Sequence, residues 1–215
     1  MIDGMARNLA ETLRLVLVTD DRLLSGRDPI AVCAAAVRGG VTAVELRLKH
    51  ALPRDLVSLA RRLISASMVP ILINDRLDVA LAAGAAGVHL GIDDLPVNMA
   101  RRAVPKGFVI GASVGSDAEI DNGRGADYWG IGPWRETGTK ADAGPSLGPG
   151  GFAALAARSG GIPCVAIGGV RPEDAPEVAR AGGVGLAVVS GILGSEDVES
   201  NARAYVAALG SSPRA

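Results

Sequence analysis

The chain has 215 residues, of which 48% are apolar, 21% charged and 3% aromatic, and its formal net charge is −1. This near-neutral balance excludes a general attraction to nucleic acid or an anionic membrane surface, so the expected partner is a small molecule. Met1 to Leu9 carries charges and lacks the apolar run of a signal peptide or membrane span, which makes a cytoplasmic enzyme the expectation.

No Pro/Ser-rich linker divides the sequence, and residues 1–215 read as one domain. Cys33 and Cys164 stand alone in apolar stretches without metal-ligand spacing, and read as small core residues. In chain order, the first 13 residues form an extension in which Met5 to Leu13 reads as a helix covering the bottom of the fold. The run Leu15 to Thr19 reads as a strand and Ile30 to Arg38 as a helix. Ala43 to Leu48 then precedes Asp55 to Ala66, and Ile71 to Asn74 precedes Val79 to Ala83. Val88 to Leu90 and Val109 to Ala112 are strands followed by the short helical patterns Met99 to Ala103 and Ala118 to Asn122. Tyr128 to Ile131, Cys164 to Ile167 and Gly185 to Val189 complete the strands, with helices over Pro172 to Ala181 and Asp197 to Leu209.

Alternating strands and helices imply a parallel sheet, and eight such units in this length fit an α/β fold of the (β/α)8 TIM-barrel type. The two short, poorly patterned helices leave an open doubly wound sheet as the alternative. Either architecture binds ligands beyond the carboxyl ends of its strands.

In Ala43-Val-Glu-Leu-Arg-Leu-Lys49, period-two alternation puts Val44, Leu46 and Leu48 on one face and Glu45, Arg47 and Lys49 on the other. The second strand of a closed barrel has no solvated edge, so the charged face looks into the mouth, where Arg47 and Lys49 suit a multiply charged anion. Asn74-Asp75-Arg76 and Gly91-Ile-Asp-Asp94 bring two acidic groups to the ends of the next two strands. These carboxylates suit Mg²⁺ completed by substrate phosphates, or else each caps the helix that follows. After the sixth strand, Thr137-Gly-Thr-Lys140 offers hydroxyls, a bare amide and an ammonium that can reach a diphosphate. Gly168-Gly169 and Val189-Ser190-Gly191 supply backbone amides for a phosphate, or tight turns only. His89, inside a strand, reads as a hydrogen-bonded structural histidine, and His50 as loop surface. Trp129 and Trp134 read equally as packing residues or ligand platforms.

From Leu15 to Gly210 the chain resembles the thiamine phosphate synthase (thiamine-phosphate pyrophosphorylase) family. The resemblance lies in ordered motifs: Val18-Thr-Asp20, Glu45-Leu-Arg-Leu-Lys49, Ile73-Asn-Asp-Arg76, Gly87-Val-His-Leu-Gly91 with Asp93-Asp-Leu-Pro96, and Gly125-Ala-Asp-Tyr128. It continues in Gly130-Ile-Gly-Pro133, Thr137-Gly-Thr-Lys140, Ala166-Ile-Gly-Gly169 and Ala187-Val-Val-Ser-Gly-Ile192. It implies a transferase that joins hydroxymethylpyrimidine diphosphate to thiazole phosphate, giving thiamine phosphate and diphosphate. It further implies Arg47, Lys49, Asn74, Ser113 and Lys140 as diphosphate ligands, and Asp75 and Asp94 as Mg²⁺ ligands. Thr137, Thr139, Gly169, Val189 and Ser190 would hold the thiazole phosphate. A homo-oligomer is left open.

The chain departs from the family pattern at Glu45, where glutamine is usual, and at Ile92, where the family has Gly-Gln before the acidic pair. Ser113-Val-Gly115 replaces Ser-Thr-His, and Gly168-Gly-Val-Arg171 replaces Gly-Gly-Ile-Thr. Glu45 brings negative charge near a diphosphate and calls for Arg47 or Mg²⁺ to offset it, or for a pyrimidine amino group to bond. Two alternatives follow: a thiazole tautomerase, which uses a histidine acid–base group where this chain has Gly115, and a noncatalytic phosphometabolite-binding barrel. Asp75, Asp94 and Lys140 favour the transferase.

Overall fold

Short β-branched and aliphatic runs ending in Gly, Asn or Thr can extend for about four residues before the chain must turn, and the barrel is built from such pieces. The computed structural model describes residues 9–136 and 144–210. Its strands are β1 (Leu15–Val18), β2 (Ala43–Leu46), β3 (Ile71–Asn74), β4 (Gly87–Leu90), β5 (Val109–Val114), β6 (Tyr128–Ile131), β7 (Cys164–Ile167) and β8 (Gly185–Val188). Each pairs in parallel with the next, and Val16 of β1 aligns with both Ala43 and Ala187, so the sheet closes. Closure removes the open-sheet alternative. Strands β3, β6 and β7 coincide with the ranges read from the sequence.

The helices are α1 (Leu9–Thr12), α2 (Pro29–Arg38), α3 (Pro53–Ala66), α4 (Leu77–Ala83), α5 (Val97–Ala103), α6 (Ile120–Gly123), α7 (Gly148–Ala156), α8 (Ala175–Arg180), α9 (Ser190–Leu193) and α10 (Val198–Gly210). Of the helix expected over Met5 to Leu13, α1 is the described part, and Leu9 and Leu13 pack on the barrel interior. The Pro172 to Ala181 pattern divides into a 3-10 turn (Pro172–Asp174) and α8, because proline at 176 favours a fresh helical start. Helix α7 has no counterpart in the sequence reading: Gly148, Gly150 and Gly151 argue against helix, yet burial of Phe152 and Leu155 outweighs that propensity.

Two apolar layers follow from the strand alternation. Val44, Leu46, Val88 and Leu90 face the helices, whereas Val16, Val18, Ala43, Leu72, Val109, Tyr128, Val165 and Ala187 fill the interior. The interior is packed from below by these side chains, so polar groups are confined to its upper end and mouth.

Candidate active site

The ladder of β2 ends at Leu46, but the chain stays extended through Arg47 because the β1 loop clamps it. The Thr19 hydroxyl accepts from the Arg47 N–H at 2.8 Å and donates to its carbonyl at 3.1 Å. Buried Asp20 holds Arg47 Nη1 at 3.3 Å through Oδ2, while its Oδ1 accepts from the backbone N–H groups of Arg22 and Leu23. The Asp21 carboxylate accepts from the N–H groups of Lys49, at 2.9 Å, and of exposed His50. Arg47 therefore pairs with Asp20, a partner the sequence reading did not single out. The signal was present in Val18-Thr-Asp20, but a bond between loops distant in sequence leaves no periodicity to read.

Glu45 follows inward-facing Ala43 by two residues and is 4% exposed. Burial pushes its carboxyl up to about 7, against the opposing pull of the Arg47 charge. On β4, His89 lies 2.9 Å through Nδ1 from the Tyr128 hydroxyl and 3.0 Å through Nε2 from Ser113 Oγ. Burial, followed by the charges of Glu45 and Asp127, raises the Tyr128 hydroxyl well above its ordinary range, so it keeps its proton. Glycine makes the room: a Cβ on Gly111 would lie 2.2 Å from Tyr128 Cζ, and one on Gly130 would lie 3.0 Å from His89 Cε1. His89 is thus hydrogen-bonded, and Ser113 joins its network.

Asn74 ends β3, and Asp75 follows in the left-handed region at φ 63°, a conformation that costs a non-glycine residue about 1 kcal/mol. Its N–H donates to the His89 carbonyl at 2.8 Å, and its Oδ2 lies 4.0 Å from Lys49 Nζ. Burial, then a side-chain hydrogen bond with Asp94 and the Asp94 charge, push the Asp75 carboxyl up to about 6, while Lys49 pulls it down. Asp94 Oδ2 accepts from the Gly91 N–H at 2.6 Å. Neither carboxylate caps a helix: the N-cap of α4 is Arg76 and that of α5 is Pro96, which removes the capping alternative.

Two carboxylates that share a hydrogen bond need a proton between them, and a divalent cation can replace that proton. Oxygen-only donors beside the cations of Lys49 and Arg47 fit Mg²⁺, which keeps several waters and takes one or two protein carboxylates. Among the described residues no group of three or more His, Cys, Asp or Glu gathers to hold a metal, so the remaining ligands of such an ion would be substrate and water oxygens.

Across the mouth, beyond β6, β7 and β8, lies a cleft of about 1020 Å³ whose lining includes Trp134, Gly169, Arg171, Ser190 and Tyr205. Gly168 and Gly169 have φ 87° and 68°, and a Cβ on Gly169 would approach Arg135 Cβ to 2.9 Å and the Glu136 carbonyl to 3.0 Å. Val189 precedes α9 and packs on the interior cluster. Thr137, Thr139 and Lys140 lie outside the described residues. Trp129 donates to the Gly123 carbonyl and is buried, whereas Trp134 packs edge-on against Phe152 at 5.6 Å while lining the cleft, so packing dominates for both. A Cβ on Gly115 would lie 2.9 Å from the Gly132 carbonyl, so a histidine at that position demands backbone movement.

The fold and its polar mouth define a (β/α)8-barrel enzyme. The family model for thiamine monophosphate synthase matches residues 15–192, and the chain belongs to that family. Thiamine-phosphate synthase of Xanthobacter autotrophicus is 46% identical over 202 residues, covering 92% of this chain and 95% of that protein. The Methanospirillum hungatei thiamine-phosphate synthase is 41% identical, over 89% of this chain and 95% of its own length. Among solved structures, thiamine phosphate pyrophosphorylase from Pyrococcus furiosus superposes with a TM-score of 0.84 at 34% identity, covering 94% of this chain and 98% of that one. The chain is accordingly a transferase of this family. No helix of the described residues is long and apolar enough to cross a membrane.

Proposed function

We propose that the chain is a cytoplasmic thiamine phosphate synthase, joining hydroxymethylpyrimidine diphosphate to thiazole phosphate with release of diphosphate. The observation that carries this reading is the Asp75–Asp94 pair beside Lys49 and Arg47, set across the mouth from a separate glycine-lined cleft. A noncatalytic phosphate binder has no use for that carboxylate pair, and the packing at Gly115 disfavours a tautomerase histidine.

In the proposed reaction the methylene C–O bond to diphosphate breaks first, with both electrons going to diphosphate, and the thiazole nitrogen then forms the new N–C bond with the pyrimidine-stabilised cation. Arg47, Lys49, Asn74, Ser113 and Lys140 hold the diphosphate, and Arg47, Lys49 and Lys140 stabilise the charge it gains. Arg47 is already directed by Thr19 and Asp20, so little reorganisation accompanies that step. Asp75 and Asp94 are the residues that would hold Mg²⁺, which supplies additional positive charge to the leaving group when bound. Thr137, Thr139, Gly169, Val189 and Ser190 hold the thiazole phosphate and so fix the nucleophile near the cation. No protein acid or base is needed for bond formation.

Glu45 fits the same reading without its charge. A carboxyl with a pKa of about 7 is half neutral at that pH, and the neutral acid offers one O–H donor and one carbonyl acceptor, the pattern of the glutamine amide usual in the family. It would pair with the aminopyrimidine edge without repelling diphosphate. The deciding assay supplies purified protein with both substrates, with and without Mg²⁺, and measures thiamine phosphate and diphosphate. Equal formation of both products that ceases on chelation is expected, and failure to form either sinks the reading.

A further inference from the structure

The cleft contains a cation at the position where the family pattern has threonine. Arg171 follows Gly168-Gly169-Val170, and the peptide unit from which it projects is held at both polar atoms. The Val170 carbonyl accepts from the Tyr205 hydroxyl at 2.8 Å, and the Arg171 N–H donates to Asp174 Oδ2 at 2.9 Å. Tyr205 is buried on α10 and its hydroxyl is pushed up to about 12, chiefly by burial, so it remains a donor throughout the working range. A Cβ on Gly191 would come within 2.0 Å of that hydroxyl, so the bond requires glycine there. Asp174 is 2% exposed and engaged by the Arg135 guanidinium, through Nε at 3.1 Å and also through Nη2.

These contacts divide the arginines of the cleft by task. Arg135 is committed to Asp174, whereas Arg22 reaches Asp20 only at 4.0 Å and stays open at the opposite rim, on the β1 loop rather than on an anchored peptide of β7. Arg171 approaches Glu173 only at 3.9 Å, and its side chain is 66% exposed at the cleft. Among the described residues of the lining, Gly169 and Ser190 offer only neutral donors. A phosphomonoester carries about −1.5 to −2 charges at neutral pH, and a guanidinium meets such a group with paired, charge-assisted hydrogen bonds.

We propose that Arg171 is a ligand of the second substrate's phosphate in this cleft, with Tyr205 and Asp174 as positioning residues that fix the peptide from which it projects. The proposal rests on the synthase reading for the identity of that substrate, but the cation and its anchored peptide do not depend on it. In this chain, unlike one with threonine here, affinity for the thiazole phosphate gains a charged contact and becomes more sensitive to salt.

The test is calorimetric titration of the full-length protein with thiazole phosphate, the unphosphorylated thiazole alcohol and inorganic phosphate, alongside steady-state kinetics. Arg171→Thr is expected to weaken thiazole phosphate and inorganic phosphate about tenfold, the scale of one charge-assisted contact, while leaving the alcohol and the KM for the pyrimidine diphosphate within about twofold. Arg171→Lys should recover part of the loss. Tyr205→Phe keeps the ring and removes the hydroxyl, and should weaken the same two ligands about threefold with the melting curve still cooperative. Unchanged phosphate affinity in Arg171→Thr overturns the proposal, as does an equal loss for both substrates. Inorganic phosphate separates the two levels of failure: if wild type binds it through Arg171 yet makes no thiamine phosphate, the phosphate site stands and the synthase reading falls.

Discussion

The β2–β5 side of the barrel mouth and the β6–β8 side differ in how they hold their polar groups. On the first, charged side chains interlock: Thr19 and Asp20 direct Arg47, Lys49 leans on Asp75, and Asp75 faces the like charge of Asp94. On the second, backbone conformation is what is held: two successive left-handed glycines, and a peptide unit pinned by Tyr205 and Asp174. The contrast matches a division of labour in which one side stabilises charge that develops during bond breaking and the other binds a group remote from the reacting atoms. Interactions strengthened only in the transition state alter kcat, whereas those equal in ground and transition states alter KM. Substitutions on the two sides should therefore separate in their kinetics.

The largest effect is expected at Asp94. Asp94→Asn keeps an oxygen for the Gly91 N–H but removes the charge facing Asp75. Loss of charge stabilisation of the leaving group should lower kcat by roughly 10²–10³, about 3–4 kcal/mol in barrier height. Thermal stability should hold or rise, because a like-charge pair has been relieved. Single-turnover release of diphosphate at saturating Mg²⁺, paired with a melting curve, measures both. A variant of wild-type rate would remove the metal-ligand role and with it the asymmetry of the mouth.

Next comes Glu45, where pH does the work. Its folded pKa of about 7 lies above the ordinary 4.5, so between these values the folded state binds the proton more tightly than the unfolded chain does. The associated stability is complete below about pH 4.5 and is lost as pH rises through about 7, a change of order 3 kcal/mol for a fully buried group. Glu45→Gln has no such loss, so its melting temperature should pull ahead of wild type across that window. The KM of wild type for the pyrimidine diphosphate should rise about tenfold from pH 6 to pH 8 as the neutral acid is depleted, while the variant stays flat. Parallel pH profiles for the two proteins would show that the carboxyl does not meet the pyrimidine.

How much of this was legible in the sequence depends on whether a feature is local. The inward face of β2 followed from alternation, and Glu45 is indeed inside while Val44 and Leu46 pack outward. The acidic pair followed from two strand ends in neighbouring elements, and Asp94 is close enough to help push the Asp75 carboxyl up. Helix α7 was illegible because its glycine-rich start contradicts propensity, and only the burial of Phe152 and Leu155 accounts for it. The Asp20–Arg47 and Tyr205–Val170 contacts were illegible for another reason: each joins residues from separate strand–helix units, and no spacing within one element encodes them. Gly111 and Gly130 are intermediate. Their inward positions were readable, but that they make room for Tyr128 and His89 required the closed barrel.

The smallest effects test the glycine-lined side, and two substitutions there differ in kind. Gly169→Ala places a Cβ within 3.0 Å of Arg135 and Glu136 at a φ of 68°, so it should cost roughly 1–2 kcal/mol of stability from left-handed strain and raise the KM for thiazole phosphate severalfold as the loop shifts. Ser190→Ala removes only a hydroxyl and leaves the backbone N–H in place. If the neutral contacts to the phosphate, beside the charge of Arg171, come mainly from main-chain amides, that second change should raise the same KM by no more than about threefold, under about 0.7 kcal/mol and within the range of one modest hydrogen bond. The kcat should be untouched by Ser190→Ala, because the contact is the same before and during bond breaking. Initial-rate measurements with thiazole phosphate varied at saturating pyrimidine diphosphate resolve these cases. A larger effect for Ser190→Ala than for Gly169→Ala would mean that the Ser190 hydroxyl, not backbone shape, supplies the neutral contacts to the phosphate, and the contrast between the two sides of the mouth would then be one of position alone.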